Sequence, residues 1–438
     1  MPLTRRHALK LSLGAAAAAP LVVSSRLLGA GAPSNRLHVG SIGTGRMGHG
    51  DMRNALYQGL DDSTNARVVA VCDLDLHRAE HAKADVLKRY KEREVPAKVD
   101  VYQDFRKLLA RDDVDAVTIS TPDHQHAVCA VAAAEAGKHM YVQKPFTYTV
   151  GEGQTLVEAV RRNKVVFQTG SQQRSDIRFR KACELVRNGY LGKIHTVEVV
   201  VPTDHGKGDP KPMPVPQNLN YDMWLGPRPE APYTEHRVHP QQGFGRPGWL
   251  QIEAYSRGMI TGWGAHMYDI AQWGLGVDRD GGPVEVTAMA EFPDRGLFDV
   301  HVGYQGEARY ASGVKLVSHN GSAGVKFIGD DAWLWVARGK WKSEPEAILR
   351  TKLADNDVRL YESKNHMLNF LQCCRTGKDP IAPAEVGHRS NTVCVLHHIA
   401  MKHNGKTLTW DPKAERFTGE AADANPMLDY PHRKPWTV

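Results

Sequence analysis

The feature that most constrains the fold of this 438-residue chain is the alternation of short apolar runs with amphipathic segments between residues 37 and 169. The apolar runs predict buried strands at Leu37–Ile42, Arg67–Cys72, Asp115–Ser120, His139–Val142 and Val165–Thr169. The segments between them predict helices at Met47–Leu60, Leu76–Arg93, Asp104–Ala110, His124–Ala136 and Val150–Arg162. Such alternation predicts an α/β domain with a parallel sheet and helices on both faces.

The pattern changes after about residue 190, where longer β segments punctuated by turns begin. These predict strands at Ile194–Val201, Val284–Glu291, Asp299–Tyr304, Lys315–His319 and Val325–Ile328, which suits a mostly antiparallel sheet. Ten prolines between Pro202 and Pro247 exclude regular structure from much of that stretch. A late helical pair, His366–Arg375 and Val386–His403, precedes an irregular tail.

We therefore predict two domains after an N-terminal segment of residues 1–32. Residues 33–147 form the α/β domain. Residues 148–438 form an α+β domain with a large, open, mostly antiparallel sheet, whose late helices and tail can pack back on the first domain.

A glycine motif lies where the first strand turns into the first helix. Gly43-Thr44-Gly45-Arg46-Met47-Gly48 has the spacing G-x-G-x-x-G, in which the glycines allow a tight turn, close approach of a pyrophosphate and close helix–strand packing. Asp73 ends the second strand, 25 residues after Gly48, where a carboxylate can accept both ribose hydroxyls and repel a 2′-phosphate. The pattern predicts a Rossmann domain that binds NAD in preference to NADP. Arg78 could meet a phosphate, but we expect it on a solvated helix face.

Two further polar segments follow strands of the predicted parallel sheet. Thr121-Pro122-Asp123-His124-Gln125-His126 follows the third predicted strand, and Gln143-Lys144-Pro145 follows the fourth. Ligands of open α/β sheets bind beyond the carboxyl ends of strands, so we expect Thr121, Pro122, His126, Gln143 and Lys144 at the cofactor. Lys144 is placed to steady the alkoxide that develops when an alcohol loses hydride.

On these residues and on Gly258–Asp269, the chain resembles the Gfo/Idh/MocA family of sugar oxidoreductases from about residue 36 to its C-terminus. The resemblance implies that Lys144 matches the lysine of the family's Glu-Lys-Pro segment, whose Lys-Pro bond is often cis, and that His266 matches the histidine of its Asp-x-x-x-His pair. In the family both residues surround the reacting carbinol, and the histidine commonly serves as acid/base. A substrate-facing open sheet and a homo-oligomer are also implied.

The chain departs from the family pattern at two positions. The family's glutamate is Gln143, and loss of that carboxylate should lower the pKa of Lys144 relative to a glutamate-bearing site. The family's aspartate is Gly262, so the Asp/His pair is incomplete. Asp269 is three residues after His266 and could share its helix face, or it could be a structural acid at a helix start.

The candidate substrate residues combine aromatic rings with polar groups, as a sugar ring requires. All nine tryptophans lie beyond residue 220. We expect Trp273 in the core, and we assign substrate contact to Arg174, Trp224, His239, Trp263, His266 and Asp269. The 21 histidines include no H-E-x-x-H pattern, and we predict no metal site.

The first 32 residues resemble an export signal. Thr4-Arg5-Arg6-His7-Ala8-Leu9-Lys10 precedes a soft apolar stretch and a small-residue segment, and the paired arginines resemble a twin-arginine signal for the export of folded proteins. An ordinary secretory signal or an uncleaved anchor is the alternative. We expect a periplasmic or otherwise exported protein.

Composition excludes other classes of protein. Four basic residues and no acid lie in the first 32 positions, so the remainder carries only +3 of the net +7, and no dense basic stripe indicates a nucleic-acid partner. Beyond residue 32 no apolar run approaches the ~18 residues of a membrane span.

Three functions remain open. The first is an NAD-dependent oxidoreductase acting on a sugar, cyclitol or sugar derivative. The second is a redox-neutral epimerase, glycosidase or sugar–sugar oxidoreductase with tightly bound NAD, which export favours because no NAD pool exists outside the cytoplasm. The third is a non-catalytic sugar-binding or regulatory protein, motivated by Gln143 and Gly262.

Overall fold

The structure is a computed structural model that describes residues 35–438, so the predicted export signal lies outside the described residues. The first domain contains, in chain order, β1 (Leu37–Ile42), α1 (Arg46–Gly59), β2 (Ala66–Cys72), α2 (Leu76–Glu92), β3 (Asp100–Tyr102), α3 (Phe105–Leu109), β4 (Ala116–Ile119), α4 (His126–Glu135), β5 (His139–Val142), α5 (Val150–Asn163) and β6 (Phe167–Thr169). The six strands form one parallel sheet in the order β3-β2-β1-β4-β5-β6.

The predicted parallel sheet with helices on both faces is therefore confirmed. Sequence periodicity did not reveal β3, because an edge strand of three half-buried residues is too short to show alternation. The sheet continues through β6, beyond the predicted domain boundary at residue 147.

The second domain contains α6 (Ile177–Arg187), β7 (Ile194–Val201), α7 (Tyr221–Leu225), α8 (Met259–Gly262), α9 (Gly264–Leu275), β8 (Pro283–Glu291), β9 (Gly303–Tyr310), β10 (Lys315–Asn320), β11 (Gly324–Gly329), β12 (Trp333–Ala337), β13 (Lys340–Glu344), α10 (His366–Thr376), α11 (Ala384–Lys402), β14 (Leu408–Asp411) and β15 (Arg416–Phe417). The strands form a nine-stranded sheet in the order β13-β12-β11-β7-β10-β9-β8-β14-β15. Only the β7–β10 pair is parallel, so the mostly antiparallel sheet is confirmed.

One predicted strand of this sheet is wrong. Asp299–Tyr304 was expected to be extended in the sheet, but β9 begins at Gly303. The N–H groups of Asp299 and Val300 instead donate to the carbonyl of Gln251, and the Asp299 carboxylate accepts from Glu253 N–H. These bonds hold the segment against residues 251–253, which follow the proline-rich stretch. In that stretch α7 is the one α-helix between residues 202 and 247.

Apolar side chains cover both faces of the parallel sheet. One face packs against α3, α4 and α5. The other packs against α1, α2 and the late helix α10, whose Met367, Phe370, Leu371 and Cys373 join the same cluster. The late helix therefore completes the first domain. A separate and larger core joins α6, α9 and α11 to the nine-stranded sheet.

The described part of the chain carries no helix that is both long and apolar enough to cross a membrane. Among the same residues, no cluster of three or more histidine, cysteine or acidic side chains is arranged to hold a metal ion.

Candidate active site

One cavity of about 640 Å³ lies beyond the carboxyl ends of the parallel strands, within the range of small-molecule sites. Its first wall consists of residues that follow β1, β2, β4 and β5, and its second wall comes from the other domain. The residues that line the cavity include Gly43, Gly45, Arg46, Met47, Asp73, Arg78, Thr121, Pro122, Asp123, Gln143, Lys144, Trp224, His239, Arg246, Trp249, Met259, Gly262, Trp263, His266 and Arg338.

The glycine turn forms one end of this cavity. Gly43 has a positive φ of 78°, and a Cβ there would lie 2.7 Å from the carbonyl oxygen of Ser120. Gly48 lies behind the turn, where a Cβ would sit 1.8 Å from the Gly43 carbonyl, so close packing requires glycine. Helix α1 begins with Gly45 as its N-cap, which has no side chain to accept the free N–H groups of the first turn. This turn fits an anionic pyrophosphate.

Asp73 joins the glycine turn to the end of β2. Its Oδ2 accepts from Thr44 N–H at 2.8 Å and from the Thr44 hydroxyl at 3.2 Å, and its Oδ1 accepts from Asp75 N–H at 3.0 Å. Thr44 is buried and does not line the cavity, and its described hydrogen-bond partner is Asp73. The carboxylate of Asp73 is fixed at the place where the ribose of a dinucleotide would lie.

Arg78 lies at the same end of the cavity, and the expectation of a solvated helix face was wrong. A Cβ on Gly45 would come within 2.9 Å of its Nη1, and its Nη2 donates to the carbonyl of Pro240 at 3.3 Å. Burial lowers the pKa of Arg78, against the charges of Asp73 and Asp75. A cation therefore faces the carboxylate that was expected to determine cofactor preference.

Lys144 lies at the far end of the cavity, on a segment with a cis Lys144–Pro145 bond. Its neighbour Gln143 donates from Nε2 to Asp51 Oδ2 at 2.8 Å, and the Ser120 hydroxyl donates to the same oxygen at 2.8 Å. Burial raises the pKa of Asp51 to about 6. Asp51 thus places a carboxyl group, from α1, beside the amide that replaces the family's glutamate.

Asp123 is a second carboxyl group near Lys144. It is buried, lines the cavity, and accepts from the Ser256 hydroxyl at 2.8 Å. Burial raises its pKa to about 7, although the charge of Lys144 and the Ser256 hydrogen bond act in the opposite direction. Burial also lowers the pKa of Lys144, and the charges of Asp123 and Asp51 oppose that shift. Lys144 and Asp123 thus each act on the other's pKa.

His266 enters the cavity from α9 of the second domain. Its side chain is buried, and its Nδ1 has no hydrogen-bond partner within residues 35–438. Burial lowers its pKa well below the usual value, and the charges of Lys144 and Arg338 add to this effect. The imidazole is therefore neutral near pH 7 and can accept or donate a hydrogen bond in the cavity. At Gly262 a Cβ would meet only the flexible end of Met259, so no carboxylate reaches His266 from that position.

Several predicted residues lie at the cavity and others do not. Arg46, Met47, Thr121, Pro122, Trp224 and Trp263 line it. His239 also lines it, but its Nε2 bonds Asp75 Oδ2 at 3.0 Å, which places it near the ribose end rather than beside Lys144. His126 is buried behind the wall, with its ring nitrogens 2.6 Å from the Pro145 carbonyl oxygen and 3.0 Å from that of Thr121. It ties the two strand-end segments together instead of lining the cavity.

Arg174 and Asp269 do not line the cavity, so their predicted contact with substrate is wrong. They form a buried pair in which Nε lies 3.0 and 2.8 Å from the two carboxylate oxygens and Nη2 lies 2.8 Å from Oδ1. Asp278 joins the pair at 2.9 Å, and the Ser390 hydroxyl donates to Asp269. Their hydrogen-bonding groups are used within the core, and neither residue lines the cavity. Asp269 also lies inside α9 rather than at a helix start.

Asp51, Asp123, Arg246 and Arg338 are site residues to which the sequence predictions assigned no role. Asp123 stands inside a segment already selected for its position after a strand, so an acid there was an available signal. Asp51 is an acid on the buried face of an amphipathic helix, which is unusual enough to indicate a polar partner. The two arginines come from loops whose place in the fold no periodicity reveals.

Two family descriptions match successive parts of the chain. Residues 37–171 match "Oxidoreductase family, NAD-binding Rossmann fold", and residues 178–438 match "Oxidoreductase family, C-terminal alpha/beta domain". Together they cover nearly all of the described chain.

Individual relatives and solved structures give more limited likenesses. Myo-inositol 2-dehydrogenase of Thermotoga maritima is 28% identical over 41% of this chain and 47% of its own length. The chain thus spans about half the length of this curated relative. Aldose-aldose oxidoreductase from Caulobacter crescentus has a TM-score of 0.60 at 19% identity, covering 85% of this chain and 99% of that one. Levoglucosan dehydrogenase in complex with NADH and levoglucosan has a TM-score of 0.58 at 15% identity, with 85% and 99% covered. At these identities the structures establish a shared fold.

Proposed function

The chain belongs to the Gfo/Idh/MocA family of oxidoreductases, and from that premise we propose that it transfers hydride between NAD(H) and a carbinol carbon of a sugar, cyclitol or sugar derivative. The observation that carries this proposal is one cavity that joins the glycine turn to Lys144 of the first domain and His266 of the second. A group bound across that cavity would meet anion-binding N–H groups at one end and proton-handling side chains at the other.

The residues at the ribose end fit a dinucleotide. The glycine turn leaves the first-turn N–H groups of α1 free for a pyrophosphate, and Asp73 offers a fixed carboxylate for ribose hydroxyls. When bound, the nicotinamide supplies the acceptor or donor of the hydride. We propose NAD as the preferred cofactor, with Arg78 moderating the exclusion of NADP.

Proton transfer in this proposal depends on Lys144, Asp123 and His266. The ammonium of Lys144 donates to the reacting oxygen and stabilises its negative charge. Asp123 takes the proton, since a carboxyl group with a pKa of about 7 is matched to proton transfer at neutral pH. The neutral imidazole of His266, which lines the cavity, orients the substrate hydroxyl by a hydrogen bond.

The test is a panel of cyclitols, sugars and glycosides added to protein purified with its native cofactor, with the near-ultraviolet absorbance of the nicotinamide as readout. A change of absorbance with at least one carbinol compound, and none with the corresponding deoxy compound, is expected. Absence of any change with protein that demonstrably holds NAD would refute hydride transfer.

We further propose that the cofactor is retained through turnover. The support is the export-like segment in residues 1–32, since an exported enzyme has no external NAD pool. Retention favours the redox-neutral alternative, in which one cycle both reduces and re-oxidises the nicotinamide. A tightly bound cofactor stays with the folded protein during purification and is freed when the protein unfolds. Heat denaturation of natively exported protein should therefore release about one NAD per chain. Product analysis then separates net oxidation from isomerisation or transfer.

A lysine, a buried carboxyl group and a histidine line the same cavity, and this combination weighs against a non-catalytic binding protein. Periplasmic location and a homo-oligomer also remain predictions. A reporter fused after residue 32, and the mass of the protein in solution, test them.

A further inference from the structure

The substrate end of the cavity carries more positive charge than hydride transfer requires. Arg246 and Arg338 line it from the second domain, in addition to Lys144. Arg338 stacks on Trp263 and Arg246 contacts Met259, both from the segment that carries His266. The two arginines therefore lie at this end of the cavity, where their charges add to the effect of burial in lowering the pKa of Lys144. Asp123 is the carboxyl group that lines this end, and its pKa of about 7 leaves it only partly charged at neutral pH.

Arg338 is held by packing and not by an ion pair. It lies in the turn between β12 and β13, and its guanidinium stacks over the ring of Trp263 at 4.6 Å from the centroid. Trp263 in turn meets the His266 ring edge-on, with 6.1 Å between ring centroids. Burial is the one resolved cause of the lowered pKa of Arg338, so no carboxylate among residues 35–438 offsets its charge. A guanidinium that stacks on an aromatic ring keeps its N–H donors free, because they point outward in the plane of the guanidinium group.

Arg246 is also without a partner carboxylate in the described part of the chain. Its Nη2 lies 3.4 Å from the sulfur of Met259, which is a weak acceptor. Its charge influences Asp204, but that carboxyl group is buried and already accepts from Gln251 Nε2 at 2.7 Å and from Met259 N–H at 2.6 Å. Arg246 and Arg338, both exposed, therefore line the same cavity with guanidinium groups that no carboxylate pairs among residues 35–438.

We propose that the substrate is an anionic sugar, whose carboxylate or phosphate is bound by Arg246 and Arg338 beside the reacting carbinol. Paired guanidinium groups bind such anions through charge-assisted, bidentate hydrogen bonds. A cleft lined by one sign of charge also attracts the oppositely charged ligand. The proposal rests on the proposed function, because it names the substrate class of the same cavity.

The test compares ligands that differ only in charge. D-glucose, D-glucuronate and D-glucose 6-phosphate are titrated into the holoprotein, with quenching of tryptophan fluorescence as the binding signal, since Trp224, Trp249 and Trp263 line the cavity. At least one of the two anions should bind about tenfold or more tightly than glucose, and which one does so distinguishes carboxylate from phosphate. Glucose binding as tightly as both anions, or equal absence of binding by all three, overturns the proposal.

Variants connect this preference to the two arginines. Arg338→Gln and Arg246→Gln keep most of the side-chain length and should each weaken binding of the preferred anion about tenfold, and binding of glucose much less. Lys340→Gln is the matched control, because Lys340 is an exposed cation on the same hairpin that does not line the cavity. The arginines would have no role in charge selection if their variants weakened the binding of anion and glucose equally, or if Lys340→Gln weakened anion binding as much as they do.

The binding assay also separates this proposal from the proposed function. Preferential anion binding without any change of nicotinamide absorbance would remove hydride transfer but keep the anion site. Hydride transfer with neutral sugars, at equal affinity for the anions, would keep the function and remove the anion site.

Discussion

The two ends of the cavity are built in different ways. The ribose end comes from neighbouring pieces of one β-α-β unit, so that the glycine turn, Thr44 and Asp73 are joined by hydrogen bonds within 30 residues of sequence. The end beside Lys144 draws on β-strand ends of the first domain, a proline-rich loop, α9 and a hairpin of the second. The first end is therefore readable from local sequence, whereas the second exists only after both domains are folded. It follows that cofactor binding and substrate chemistry should be separable by mutation.

Replacement of Lys144 by alanine should give the strongest separation of the two ends. We expect hydride transfer to fall by about 10³-fold, because a preorganised donor at the developing alkoxide is lost. The amount of NAD released on denaturation should stay unchanged, since the pyrophosphate end is intact. Single-turnover absorbance and cofactor content measure the two effects. A parallel loss of NAD would place Lys144 in the cofactor end instead.

Replacement of Asp269 by alanine tests whether the substrate end extends to the far side of α9. The change leaves Arg174 as a buried charge with one fewer partner and should lower the free energy of unfolding by about 3–5 kcal/mol. A shift of the denaturant midpoint measures this loss. Arg350→Ala, which breaks an exposed pair with Glu346, should change the stability by less than about 1 kcal/mol. A raised KM at unchanged stability would instead return Asp269 to the substrate site.

The change Asp123→Asn distinguishes Asp123 from His266 as the proton acceptor. Since the carboxylate is the active form, the wild-type oxidation rate should rise as the pH increases through about 7, where Asp123 loses its proton. The asparagine variant should lose this rise and about 10²-fold in kcat. Asp112→Asn, an exposed acid before β4, is the matched control and should retain both. Persistence of the same rise in the Asp123 variant would assign it to another group.

At the ribose end, Asp73→Ala and Arg78→Ala should have opposite and smaller effects. Loss of the carboxylate should relax discrimination against NADP about tenfold, and loss of the arginine should strengthen it by a similar factor, as expected for single charge–charge interactions. The ratio of dissociation constants for NAD and NADP measures both. An unchanged ratio in Asp73→Ala would mean that another group reads the ribose.

The difference between the two ends also explains how much could be predicted from sequence. The parallel sheet, the glycine turn and the end of β2 follow from apolar periodicity and glycine spacing, which are local properties. Lys144 was identified because strand ends of a parallel sheet converge on one edge. Asp51 and Arg338 escaped because the residues that they contact are distant in the chain. Arg174 and Asp269 were misassigned because sequence spacing gives the face of a helix but not what packs against it.

Helix α10 has a consequence for biosynthesis. It packs with Ala116, Tyr141 and Val166 of the parallel sheet, although it is encoded almost 200 residues after the sheet's last strand. During synthesis the sheet is therefore complete before α10 emerges, and the part of its face that α10 covers beside α1 and α2 stays exposed until residues 366–376 are made. The dinucleotide pocket consequently matures only near the end of translation, so loading of the coenzyme should be a late, post-translational event. Nascent chains halted before α10 should be cleaved rapidly by proteases within their first half.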